Sequence, residues 1–188
     1  MKKIRITRYQ RYLLYVVGLV VAILFTVTGV KAVRAEDETT VTVMLHKVLL
    51  DENDTTTKYD NQGTELAIND SALLNGAGFT VYDVTSLVDA GSTLSDLNKL
   101  NDTYGASYFD EKGLKVATEI TGTTGTKGLA TFQLPKLSNS RDAKYFIIET
   151  THPDIAKLEM SQPIFLAFPL SQDISNPVHL YPKNYQYV

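Results

Sequence analysis

Apolar and polar positions alternate through most of the chain after residue 36, and this pattern predicts β-strands. In residues 40–50, every second position from Val41 to Leu49 falls on one face, which is apolar except for Lys47. Further strands are predicted at residues 79–84, 114–120, 129–134, 143–150, 164–170 and 178–183. The Gly- and Thr-rich tract at residues 121–128 suggests that the two strands flanking it form a hairpin with a long connection.

One short helix is predicted over residues 92–101. Leu94, Leu97 and Leu100 recur there at a spacing of three, behind candidate caps at Ser92 and Thr93. Residues 51–63 are rich in Asp, Asn and Gly, which is typical of a loop. About seven short strands with a single helix predict an all-β fold, an antiparallel immunoglobulin-like β-sandwich with one short helical insertion. The sandwich is expected to form one domain over residues 36–188.

The first 35 residues have the composition of a secretory signal peptide, expected to be helical. A basic start precedes an uncharged stretch at residues 12–30, and Ala32 and Ala35 offer small side chains at which cleavage can occur. The alternative is an uncleaved anchor, because about 18 apolar residues can just span a bilayer. In both cases residues 36–188 are expected outside the cell, with membrane contact only through an uncleaved signal segment.

Charge and composition exclude several functional classes. The first 35 residues carry seven of the 18 basic residues and none of the 21 acidic ones, which leaves 11 against 21 and a net charge of −10 for the remainder. Such an acidic surface repels phosphate backbones, so nucleic acid is not an expected partner. The chain has no cysteine, which excludes disulfides, thiolate metal sites and a cysteine nucleophile. An exported domain of this kind needs another source of stability.

Motifs of the common enzyme classes are absent from the sequence. His46, His152 and His179 lie in separate segments without the spacing of a zinc site. The acidic run at residues 51–54 lacks the glycine and the glutamate of a calcium-binding loop. We therefore expect no cofactor, no metal and no enzymatic turnover, and a secreted enzyme is a rival without a visible catalytic constellation.

Three polar residues stand in predicted strands at positions that should face the core. Lys47 lies on the apolar face of the first strand, Glu149 is flanked by apolar residues, and Asn184 follows the apolar face of the last strand. Adjacent strand residues point in opposite directions, so Lys183 is expected to face outward. One interpretation is an ion pair between Lys47 and Glu149, with Asn184 hydrogen-bonded beside it.

The other interpretation is an intramolecular isopeptide bond. Burial favours the neutral amine of Lys47 and the protonated acid of Glu149 over their charged forms. The amine would then attack the carboxamide carbon of Asn184, while the acid polarises the carboxamide oxygen and shuttles protons to the departing ammonia. Packing would hold the three groups at high effective concentration, so no external catalyst would be required.

Three blocks of sequence together resemble one known family. They are VMLHKVLL at residues 43–50, YFIIETTHP at residues 145–153 and VHLYPKN at residues 178–184. With LNGAGFTVY at residues 74–82, they are similar to the N-terminal domain of the sortase-assembled backbone subunits of Gram-positive pili. That domain belongs to the collagen-adhesin B-type (Cna B-type) sandwiches, and the resemblance covers essentially all of residues 36–188.

The resemblance implies a structural role on the cell surface. Lys183, in a motif with Tyr181, Pro182 and Asn184, would accept the acyl group that a pilin-specific sortase takes from a neighbouring subunit. The product would be an intermolecular isopeptide bond that extends the fibre. The implied partners are the sortase, other pilin subunits and a host or wall ligand. The implied location is extracellular, in the pilus or cell wall.

The resemblance also implies a role for Glu149, which lies in the Glu-Thr-x-x-Pro block called the E-box. It matches the acid that promotes an internal bond, with Lys47 and Asn184 as its partners. The sequence departs from a polymerising subunit in lacking an LPxTG-type sorting signal, since the nearest string is LPKLS at residues 134–138. A fragment of a longer pilin, a truncated reading frame or a chain-terminating subunit would each account for this. The alternative function is a non-polymerising adhesin that presents loops such as residues 51–63 or 102–112 to a ligand.

Overall fold

The computed structural model describes residues 39–51, 59–153, 160–171 and 174–186. The predicted signal peptide and most of the acidic run at residues 51–54 lie outside these residues. Within the described part, no helix is both long enough and apolar enough to cross a bilayer.

Eleven strands in the described residues form two main sheets and two short pairs. The first main sheet has the order β10-β1-β5 and the second has the order β4-β3-β8-β9, while β11 pairs with β2 and β6 with β7. The strands are β1 (Thr40–His46), β2 (Val48–Asp51), β3 (Gly78–Asp83), β4 (Lys115–Ile120), β5 (Leu129–Pro135), β6 (Leu137–Ser138), β7 (Arg141–Asp142), β8 (Lys144–Thr151), β9 (Ile164–Ala167), β10 (Val178–Leu180) and β11 (Lys183–Gln186).

The two main sheets share one apolar core, as the predicted sandwich requires. Alternate residues of β1 and β5, such as Val43 and Phe132, pack against residues of the other sheet, such as Phe79, Val81 and Ile147. Each of these side chains is at most 2% exposed. Burial of one face of each sheet is the main source of stability in such a fold. The predicted β-sandwich class is therefore confirmed.

Three helices connect β3 to β4, where the sequence predicted one. They are α1 (Thr85–Asp89), α2 (Leu94–Tyr104) and α3 (Ser107–Glu111), and a short 3-10 helix spans Asp70–Ala72. The predicted helix corresponds to α2, which begins at a capping box formed by Thr93 and Asp96 and ends at Gly105 with φ of +67°. The helices α1 and α3 have five residues each, which is too short to show an apolar period.

The helical insertion covers the outer face of the second sheet. Leu97 of α2 and Phe109 of α3 are fully buried against Tyr82, Phe146 and Ile148, which project from the sheet on the side away from the main core. Because both faces of β3 and β8 are covered, their sequences read as nearly continuous apolar runs.

The predicted hairpin between the strands flanking residues 121–128 is wrong. The strand before this tract, β4, pairs with β3 of one sheet, while β5 pairs with β1 of the other. The tract therefore carries the chain from one sheet to the other. It turns at Gly122, Gly125 and Gly128, which all have positive φ and which a side chain would strain.

Two strand pairs are parallel, in contrast to the fully antiparallel arrangement that was predicted. β1 pairs with β10, with Leu45 opposite Leu180, and β2 pairs with β11, with Val48 opposite Lys183. The offset in residue number is the same in both pairs, so they are two halves of one parallel ribbon. The ribbon is interrupted where Lys47 lies between β1 and β2 and Pro182 between β10 and β11.

Candidate functional site

The interruption of the ribbon places Lys47 in the core. The amide of Lys47 donates to the carbonyl of Gly128 (2.8 Å), and its carbonyl accepts from the amide of Leu74 (3.0 Å). These two hydrogen bonds replace the backbone hydrogen bonds that a residue of the ribbon would otherwise make. Pro182, at the matching position, has no N–H to donate to a ladder. The inward face changes at this point, because Val48 is buried and Leu49 is not, although the alternation predicted the reverse.

The side chains of Lys47, Glu149 and Asn184 meet inside the sandwich, as the sequence predicted from their faces. They come from the ribbon interruption, β8 and β11, and they are 0%, 3% and 1% exposed. The Nζ atom of Lys47 lies 2.7 Å from Oε2 of Glu149 and 2.5 Å from Oδ1 of Asn184. The Nδ2 atom of Asn184 donates to Oε1 of Glu149 at 3.2 Å. The roles predicted for these residues remain predictions.

The carboxylate of Glu149 has a further donor that the sequence did not reveal. The backbone amide of Ser161 donates to Oε2 at 2.7 Å, and Ser161 is itself 7% exposed. Its hydroxyl oxygen is buried without a hydrogen-bond partner among the described residues. Ser161 lies between β8 and β9 in a segment without a periodic pattern. A backbone donor leaves no trace in residue type, so no sequence signal points to it.

Burial controls the charge of Lys47. Removal of the ammonium from water lowers the pKa of Lys47 from 10.5 to about 8, and the nearby Glu149 charge opposes this only in part. A lysine with such a pKa is a neutral amine, and hence a nucleophile, in a useful fraction of molecules near neutral pH. The aromatic ring of Phe79, whose centre lies 5.5 Å from Nζ, forms one apolar wall of the site.

Lys183 and Asn184 point in opposite directions, as predicted for neighbours in a strand. Asn184 is buried in the trio, whereas Lys183 is partly exposed and makes no ion pair among the described residues. Pro182 is buried. The structure thus presents one amine of this segment to solvent and one amide to the core.

Tyr181, two residues before Lys183, is held by hydrogen bonds at both its backbone amide and its hydroxyl group. Its amide donates to Oδ1 of Asn61 at 2.5 Å. Its hydroxyl accepts from the amide of Leu66 at 2.6 Å and donates to the carbonyl of Thr64 at 3.1 Å. His179 and Tyr181 alternate with the inward-facing Val178 and Leu180, so the strand pattern predicts that they face away from the core. Both are nevertheless buried, because residues 59–68 cover that side of the strand.

Two of the three histidines contact each other. Nε2 of His46 lies 2.9 Å from Nδ1 of His179, and the ring of His46 lies nearly parallel to that of Tyr181. Burial and the neighbouring His179 lower the pKa of His46. Within the described ranges, no group of three His, Asp or Glu side chains could hold a metal ion. The rings of His46, His179 and Tyr181 form one stacked group.

The comparisons with known proteins agree with this architecture. The family of Gram-positive pilin subunit D1 N-terminal domains matches residues 38–185. The chain therefore belongs to this family, which confirms the resemblance inferred from the sequence blocks. A search of curated proteins gives no match.

Solved structures of pilins from Lactobacillus rhamnosus GG are similar to this chain. The shaft pilin SpaA is 28% identical with a TM-score of 0.60, over 80% of this chain and 52% of SpaA. The isolated N-terminal domain of SpaA is 30% identical with a TM-score of 0.56, over 79% of this chain and 96% of that domain. The basal pilin SpaE is 29% identical with a TM-score of 0.54, over 79% and 52% of the two chains. This chain thus spans about half the length of the full shaft pilin.

Proposed function

We propose that this protein is a structural subunit of a Gram-positive pilus, stabilised by an internal bond between Lys47 and Asn184 and joined to another subunit through Lys183. The observation that carries the proposal is the buried contact of Lys47, Glu149 and Asn184, next to a lysine directed toward solvent. An ion pair alone would be a weak source of stability here, because burying two charges costs about as much as their attraction returns.

The internal bond would form by exchange of an amide for an amine. The reacting forms are the neutral amine of Lys47 and the carboxylic acid of Glu149, whose Oε2 lies 2.7 Å from Nζ; together they carry no charge into the core. The amine then attacks Cγ of Asn184, whose Oδ1 already contacts Nζ. Packing of all three groups in the core supplies the proximity that such a step needs.

Glu149 would act on both nitrogens in the second half of the reaction. Oε2 takes a proton from the attacking nitrogen, and the acid's own proton passes to Nδ2 of Asn184, which lies 3.2 Å from Oε1. The bond from Cγ to Nδ2 breaks and ammonia leaves. The balance is one amine and one primary amide converted to one secondary amide and one ammonia, with Glu149 restored as an acid.

The external bond would use the neighbouring amine. Lys183 is partly exposed, while Asn184 and Pro182 anchor the strand on either side of it. The neutral amine of Lys183 attacks the acyl carbon that a pilin-specific sortase holds from another subunit. The acyl-enzyme bond breaks, the amine gives one proton to the departing enzyme group, and an amide forms. Similarity to the shaft pilin SpaA and the basal pilin SpaE supports an assembly role at the cell surface.

Incubation with a pilin sortase and an LPxTG-bearing subunit tests the external bond. A covalent product that contains both chains is expected for the unchanged chain and for Lys99→Ala, which removes an exposed lysine of α2. No product that contains this chain is expected for Lys183→Ala. If no pilin sortase incorporates the unchanged chain, or if Lys183→Ala is still incorporated, the acceptor role is contradicted. The first of these results would favour a non-polymerising adhesin.

A further inference from the structure

The two oxygens of Glu149 have different surroundings. Oε2 accepts two hydrogen bonds, from Nζ of Lys47 and from the backbone amide of Ser161, both at 2.7 Å. Oε1 faces Nδ2 of Asn184 at 3.2 Å. An oxygen that already accepts two N–H groups is a poor place for a proton, because that proton would point at another donor.

We propose that the backbone amide of Ser161 is a positioning group for internal bond formation: it keeps Oε2 of Glu149 as an acceptor and assigns the acid's proton to Oε1. This inference rests on the proposed isopeptide function and names a residue that selects the proton's path. With the proton on Oε1, the acid delivers it directly to the departing nitrogen of Asn184. Oε2 remains free to take the proton of the attacking nitrogen in the same step, so no rotation of the carboxyl is needed.

If the acid's proton were on Oε2 instead, the reaction could not proceed. A proton on Oε2 would point toward the attacking amine, which has no use for it, while the bare Oε1 could not protonate the departing nitrogen. Amide ion is too basic to leave without that proton. The Ser161 amide belongs to the backbone of a residue that is itself only 7% exposed, so the donor is fixed in a buried position.

The experiment follows bond formation in the full chain, which is assembled from synthetic segments in denaturant so that it has not folded before, and is then allowed to fold over a range of pH. The intact mass is followed for the loss of one ammonia. Ser161→Pro removes the amide donor, whereas Ser161→Ala retains it and deletes only a hydroxyl that has no partner among the described residues. Gln162→Pro is the matched control, because it places a proline at the adjacent, exposed residue and keeps the Ser161 amide.

Ser161→Pro should lose ammonia about 10- to 100-fold more slowly, the range expected for one hydrogen bond to a charged group. Its rate should also begin to rise only at higher pH, because the carboxylate has lost a donor that favours its ionised form. A purely structural disturbance would lower the rate without moving this limb of the pH profile. Ser161→Ala and Gln162→Pro should follow the unchanged chain in both respects.

A folded Ser161→Pro protein with the normal rate and an unmoved pH profile would overturn the inference. Failure of the unchanged chain to lose ammonia would instead overturn the proposed function, so the two failures are distinct. If Ser161→Pro does not fold, Asn184→Ala provides a second measurement, since it cannot react but retains Glu149 and the amide. The Ser161 amide resonance in its NMR spectrum should then move as the carboxyl is titrated, and an unmoved resonance would also overturn the inference.

Discussion

Replacing Asn184 with alanine should remove the stability that the internal bond supplies. The variant lacks the carboxamide, so Lys47 and Glu149 can only form an ion pair. The proposed bond closes a loop between positions 137 residues apart. The chain-entropy relation used for disulfides gives about 5 kcal/mol for a loop of that length. A domain of this size loses about 2 to 4 °C of melting temperature per kcal/mol, so a decrease of about 10 to 20 °C is expected.

Calorimetry paired with intact mass on the same samples measures this effect. The unchanged chain should lack the mass of one ammonia and melt at the higher temperature, while Asn184→Ala should have its full mass. Lys183→Ala is the matched control, because it alters the adjacent residue on the same strand without touching the trio. If the unchanged chain lacks ammonia and Asn184→Ala still melts within a few degrees of it, the loop-closure reasoning is wrong.

Two further predictions concern Lys47 and the segment that fixes its backbone. In Asn184→Ala, Lys47 remains an amine whose pKa falls from 10.5 to about 8 on folding. Because folding expels its proton, the free energy of unfolding of this variant should rise between about pH 8 and about pH 10, relative to that of the unchanged chain. Urea denaturation measures both free energies, and parallel curves against pH would contradict this prediction. In Gly128→Ala, the new Cβ would lie 2.8 Å from Cβ of Leu73 and 3.2 Å from the carbonyl oxygen of Lys47. This variant should be less stable and form the internal bond more slowly than Gly125→Ala. Gly125 also has a positive φ, but a Cβ added there would contact nothing within 4 Å. Equal rates of bond formation in the two variants would count against the crowding argument.

The sequence was most informative about which strand side chains face the core and which face outward. Alternation alone placed Lys47 and Asn184 inward and Lys183 outward, and the structure agrees for all three. The same rule failed at Leu49 and Tyr181. Leu49 follows an interruption that resets the face, and Tyr181 is covered by a loop from a distant part of the chain. Neither event leaves a local mark on apolar spacing, because both depend on contacts between segments far apart in sequence.

Strand pairing was the weaker part of the prediction for a related reason. Two adjacent strands joined by a Gly-rich tract resemble a hairpin, and only the choice of partner, β3 for β4 and β1 for β5, shows that the tract crosses between sheets. Likewise, a backbone donor such as Ser161 cannot be read from residue types. The side chains that meet in the site were predictable from the sequence, whereas the backbone groups that orient them were not.

The parallel ribbon has a mechanical consequence. Since β1 and β2 run alongside β10 and β11 in the same direction, traction that draws Thr40 and Gln186 apart makes the two lines of strands slide past each other. Sliding strains many ladder hydrogen bonds together, whereas peeling would break them one by one. A covalent link at the middle of the ribbon would carry that traction from one line to the other, and the residues between its two ends would no longer be extended by the pull.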